Sequence, residues 1–130
     1  MTIHEAITRI DDRKPNGYSV PDKVRWLNNI DRAVKAEIID THAGYEDYAD
    51  FAGYDADTDV TTELIAPAPY DEMYIYWLEA MIDYADGEYA RYNNTAAMYA
   101  EAYKAFHNYY NSTHEPLSAR MSYFGRGTRI

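Results

Sequence analysis

Asp55, Asp57 and Asp59 alternate as the first three ligands of a calcium loop do, and carboxylates at that spacing are what a hard divalent cation needs. The rest of the loop does not follow. Val60 stands where the sharp turn requires glycine, and Ala66 stands where a bidentate glutamate should close the site. The default reading is therefore a solvated acidic loop. A di-iron bundle would need Glu-x-x-His pairs on separate helices, and the chain has none. His4, His42, His107 and His114 are scattered and read as surface or cap residues, while Glu72 and Glu79, seven apart, read as solvent-facing. A metal-binding bundle would need inward carboxylates that the periodicity does not supply. There is no cysteine, phosphate-cradling glycine loop, nucleophile elbow or triad spacing. The expectation is a protein that is not an enzyme, with no catalytic residue, no metal and no cofactor.

Charge is the stronger signal. Residues 36–90 hold fifteen Asp and Glu and no Lys or Arg, whereas the remaining residues hold 7 acids and 12 bases, a balance of +5. The net charge of −10 is thus the property of one region. Such a block repels phosphate backbones and attracts cationic partners. At 130 residues the chain is one domain, long enough to bury a core without staples. Met1-Thr2-Ile3-His4-Glu5 lacks the cationic flank and apolar run of a secretory signal, and charges interrupt every window that might span a bilayer.

The elements that must carry these residues are helices. Thr2 and Glu5 have capping-box spacing, followed by Ile3, Ala6, Ile7 and Ile10 on one face, and Pro15-Asn16-Gly17 supplies the stop. Ser19 caps a second helix with Pro21 in its first turn, whose core stripe is Val24, Leu27, Ile30, Val34 and Ile38. From Gly44 to Pro69 the periodicity fails. This stretch reads as a long acidic and aromatic loop that packs on a partner or lines a surface, with Val60 to Ile65 a short strand lacking an obvious mate. A third helix opens at Tyr70-Asp71-Glu72 and follows Tyr74, Leu78, Met81 or Ile82, Ala85, Tyr89 and Tyr92, a face that Trp77 and Ile75 widen, with Gly87 as a kink or close backbone contact and Asn93-Asn94 as the break. The fourth carries Ala96, Tyr99, Tyr103, Phe106 and Tyr110. These spacings predict an all-α fold: a small four-helix antiparallel bundle with a long acidic loop between helices 2 and 3. Residues 1–116 form the helical domain and 117–130 an extended basic C-terminal arm. Fifteen tyrosines read first as fillers of helix faces whose hydroxyls stay wet or find a partner, and alternatively as a protein interface, because helices three and four carry large residues on more than one face.

Three segments together resemble a family: Asp22-Lys23-Val24-Arg25-Trp26-Leu27; the run from Thr62 to Tyr74 containing Pro69-Tyr70-Asp71-Glu72; and the run from Ile82 to Asn94, with its Tyr-Ala-x-Gly-Glu-x-Ala-x-Tyr-Asn-Asn pattern. Over Met1 to Glu115 the chain resembles the small helical head–tail connector (adaptor) proteins of tailed phages and prophages of Gram-positive bacteria. The resemblance implies a homo-oligomeric ring, typically of twelve subunits, made in the host cytoplasm and sited in the virion at the head–tail junction. The ring would dock on the portal protein and extend the DNA channel towards the next connector, stopper or tail-proximal protein. It implies no catalytic residue and no membrane. Double-stranded DNA would pass through the lumen without specific binding, which an acidic wall favours because it offers phosphates no cation. Glu46, Asp47, Asp50, Asp55, Asp57, Asp59 and Glu63 are the candidates for that channel or next-ring surface. Arg120, Tyr123, Phe124, Arg126 and Arg129, spaced by Gly125 and Gly127, are the candidates for an arm fitting a groove on the portal or a neighbouring subunit. The alternative is an acidic DNA mimic that inhibits a DNA-binding host enzyme, against which stand the basic arm and the clustering of carboxylates in a loop.

Overall fold

The protein was studied as a computed structural model that describes residues 1–117. Within them four helices form a small all-α bundle: α1 (Ile3–Arg13), α2 (Val20–Glu37), α3 (Glu72–Ala85) and α4 (Tyr89–Thr113). The N-terminal caps are those the sequence specifies. Thr2 Oγ1 accepts from Glu5 N at 3.0 Å and Ser19 Oγ from Asp22 N at 3.2 Å, each satisfying one of the amides that a helix start leaves without an internal partner.

The core is centred on α3. Met73, Tyr74, Ile75, Leu78, Ala80 and Ile82 are all buried, so this helix is covered on more than one face. The predicted α2 stripe of Val24, Leu27, Ile30, Val34 and Ile38 is buried against it. Phe106 and Tyr110 fix α4 to the other side, with Tyr99 and Tyr103 half-buried. Trp77 donates its indole N–H to the Trp26 carbonyl at 3.0 Å, which gives that ring the polar partner it needs at the α2–α3 contact.

The boundary between the third and fourth helices differs from expectation. Gly87, at φ +76°, ends α3 rather than kinking it. Gly87 N donates to Tyr84 O at 3.0 Å and Glu88 N to Asp83 O at 2.8 Å, the paired bonds of a left-handed glycine cap. The backbone of a glycine enters that region without the Cβ penalty, so the cap outweighs the helical continuity suggested by Tyr89 and Tyr92. Both tyrosines belong to α4, which runs through Asn93-Asn94 without interruption. An exposed asparagine costs a helix interior only a few tenths of a kcal/mol to about 0.7 kcal/mol, too little to break one anchored at Thr95, Phe106 and Tyr110.

The segment from Ile38 to Asp71 is also more ordered than a connection. Short 3₁₀ turns form at Ile39–Thr41 and Tyr45–Tyr48, and Tyr54, Leu64 and Ala66 are buried. The strand expected near Val60 to Ile65 does not form; the segment instead makes an isolated bridge, Thr2 to Glu63, with the start of α1. Ile3 N donates to Thr62 O (3.0 Å), His4 N to Val60 O (2.9 Å) and Leu64 N to Met1 O (2.9 Å). Two free amides of the α1 start thereby become the partners of the loop, so one contact satisfies both. Among the described residues no helix is long and apolar enough to cross a membrane.

Candidate functional site

Folding divides the base-free block into a neutralised half and a bare half. The acids of α3 and its cap face α1: Arg9 reaches Glu72 at 2.5 Å, Arg13 reaches Glu79 at 3.1 Å, and Lys14 bonds both Asp83 and, at 3.4 Å, Glu88. Desolvation would lower the Lys14 pKa, but Asp83 and Glu88 outweigh it and hold it above the usual lysine value. Glu79 and Glu72 are therefore ion-paired rather than free on a solvent stripe, because α1 lays its cations along α3. The loop carboxylates have no such partners. Glu46, Asp47, Asp50, Asp55, Asp57 and Asp59 are all exposed, and none has a cation within 4.0 Å among the described residues. Glu63, also exposed, meets the N-terminal amine at 3.1 Å.

This bare surface is held on a rigid mount. Asp31, fully buried on α2, accepts from Tyr54 Oη at 2.5 Å, Tyr74 Oη at 2.6 Å and Ile65 N at 3.1 Å. It thereby joins α2 and α3 to the middle of the loop, at Tyr54, and to its C-terminal part, at Ile65. Asn28 Oδ1 adds a bond from Tyr54 N at 2.8 Å, and Gly53 lies so close that a Cβ there would sit 2.2 Å from that oxygen. Among the described residues no cation pairs with Asp31. Burial raises its pKa, opposed by the three donors, and pushes the Tyr54 and Tyr74 hydroxyls well above the ordinary tyrosine value. Further out, burial with the nearby Glu37 and Asp31 charges lifts Tyr99 to about 12, and Tyr103 donates to Glu37 Oε2 at 2.5 Å.

The Asp55, Asp57 and Asp59 cluster is organised by backbone amides. Asp55 Oδ1 accepts from Asp57 N at 2.9 Å, and Asp59 Oδ1 accepts from Thr61 N at 2.9 Å and Thr61 Oγ1 at 2.8 Å, which lowers the Asp59 pKa. These are self-capping aspartate turns, which explain the alternation by local geometry.

A second feature, which sequence spacing did not bring together, lies where the loop meets the end of α4. His42 is the cap of the Ile39–Thr41 turn, and it is buried rather than at the surface. Its ring lies between Ile38 O at 2.5 Å and Asn111 Oδ1 at 2.5 Å, so it ties the Ile39–Thr41 turn to α4. His107 and His114 gather around the same place, with His114 stacked on Tyr110 at 3.8 Å between ring centroids. Tyr70 stacks on Tyr109 at 4.5 Å. Beside them opens a cleft of about 300 Å³, lined by Asp47, Tyr48, Ile65, Phe106, Tyr109 and His114 among others. Ala43 N donates to Glu115 O at 2.8 Å and His42 pairs with Pro116, so the described chain ends at this rim. Arg120, Tyr123, Phe124, Arg126 and Arg129 lie outside the described residues.

The molecule thus belongs to the class of small all-α bundles that present a pinned acidic loop. No family model matches the chain, and no curated protein or solved structure matches it.

Proposed function

We propose that this protein is a structural subunit of a phage head–tail connector, a homo-oligomeric ring that docks on a portal and extends a DNA channel towards the tail. The observation that supports this most is the bare acidic surface on a rigid mount. Among the described residues six loop carboxylates have no cation partner, while the α3 acids of the same block are neutralised from the α1 side. A wall past which DNA must slide gains from rigid, unpaired carboxylates, since it neither binds phosphate nor collapses onto it. The sequence resemblance over Met1 to Glu115 points the same way, and the likeness of the acidic surface to a DNA mimic is weaker. Asp55 and Asp59 are each held by the backbone amide two residues on, in local turns rather than in a regular row.

The decisive test is a triple change, Asp55→Asn, Asp57→Asn and Asp59→Asn, in the phage or prophage that encodes the chain. Asparagine keeps the turn-forming oxygen, so the loop geometry survives while three charges go. Slowed or incomplete DNA ejection from otherwise assembled particles is the expected result. Unchanged ejection, or a chain found only as a soluble complex with a host DNA enzyme and absent from particles, would refute the reading.

A further inference from the structure

We infer that the aromatic cleft beside the Tyr45–Tyr48 turn is a docking site for residues 118–130 of a second copy of this chain. The inference rests on the ring reading for its choice of a second copy. Its physical basis is complementarity. The cleft walls come from residues 44–67 and 106–114, stretches without a single Lys or Arg, and its rim carries Asp47, exposed and unpaired among the described residues. Within it the half-buried Tyr48 and Tyr109 present aromatic surface over a floor of buried Phe106 and Tyr110, and an aromatic ring attracts guanidinium groups through its negative quadrupole and packs well on other aromatics. Residues 118–130 supply the matching chemistry: Arg120, Arg126 and Arg129, the Tyr123-Phe124 pair, and no acid.

The position of the chain end selects the neighbouring copy. Glu115 and Pro116 are bonded to Ala43 and His42 at the rim of the cleft, so entry into the same subunit would require reversal directly over that anchor. Thirteen further residues span at most about 45 Å when extended, enough to reach an adjacent copy of a bundle this size. One cleft and one segment per copy make a head-to-tail contact, the kind that closes into rings.

Because the chain contains no cysteine, two single replacements give an unambiguous crosslink. Full-length D47C and R126C proteins of distinguishable mass are mixed and treated with a short bis-maleimide, with D12C on α1 replacing D47C as control. A mixed product at roughly tenfold the control yield is expected, together with loss of about the same factor when D47C is replaced by Y48C/D47R, which reverses the rim charge. In the double variant D47C/R126C, crosslinked multimers support the inference, and a monomer closed on itself overturns it. Copies that associate, by native mass spectrometry, without any Asp47-to-arm product also overturn it and leave the ring reading intact. A chain that neither associates nor enters particles removes both.

Discussion

Removing the carboxylate of Asp31 should cost far more than removing its charge. Asp31→Ala leaves the Tyr54 hydroxyl, the Tyr74 hydroxyl and the Ile65 amide without an acceptor, in a site where Asp31 and Tyr74 are fully buried and Tyr54 is 8% exposed. Each orphaned donor costs about 1–3 kcal/mol. The sum is an overestimate, because Tyr74 Oη keeps the bond it accepts from Ala66 N and the variant no longer desolvates an anion. A net loss of roughly 3–5 kcal/mol follows. Asp31→Asn should differ. Its oxygen can still accept from Tyr54 and Ile65 N, its amide meets Tyr74, and the unbalanced charge is gone, so about 1 kcal/mol in either direction is expected. Urea unfolding of the full-length protein at neutral pH, followed by far-ultraviolet circular dichroism, measures both. Equal losses for the two variants, or less than about 1 kcal/mol for Asp31→Ala, would refute the hub and with it the rigid mount of the acidic loop.

The pH dependence of the same pair has a definite sign. Burial raises the folded-state pKa of Asp31 above its ordinary 3.8, so the folded protein binds the proton first, and wild type should gain stability relative to Asp31→Asn as pH falls from neutrality towards about 4; a fall instead would contradict the assignment. Gly53→Ala places a Cβ 2.2 Å from Asn28 Oδ1 at a φ of +94°, and should cost about 2–3 kcal/mol in the same melts, whereas Gly17→Ala, with open space around it, should cost less than about 0.5 kcal/mol. Leu78→Ala, at the centre of α3, should lose about 2–5 kcal/mol, and a smaller loss would mean that α3 is not the middle of the core.

Periodicity made the α2 stripe legible because its apolar residues face one neighbour. Asp31 is the less legible residue of that helix. It sits between Leu27 and Val34 at helical spacing, on the buried face; Lys35 follows at i+4 but pairs with Asp40, so the buried acid draws on hydroxyl and amide partners. Those partners lie 23 to 43 residues away, so no local pattern could supply them. The same holds at His42, whose neighbours come from the far end of α4. The α3–α4 boundary was misplaced for another reason. Gly87 and Asn93-Asn94 are both plausible breaks in a one-dimensional pattern, and the choice is made by a cap whose two bonds appear only once the helix has ended.

The charge block shows what tertiary structure adds to composition. Its fifteen acids look uniform along the chain, yet a helix at the opposite end of the sequence brings Arg9, Arg13 and Lys14 onto α3 and cancels the field there. The loop escapes because its inward positions are taken by Tyr54, Leu64 and Ala66, and its pinning residues Asn28 and Asp31 supply oxygens, not cations. Acidity that would otherwise be spread over the whole molecule is thereby concentrated on one mounted surface. Charge reversal at Arg9 or Arg13 should consequently disturb the bundle, whereas charge removal at Asp55 or Asp57 should alter only what the surface repels or attracts.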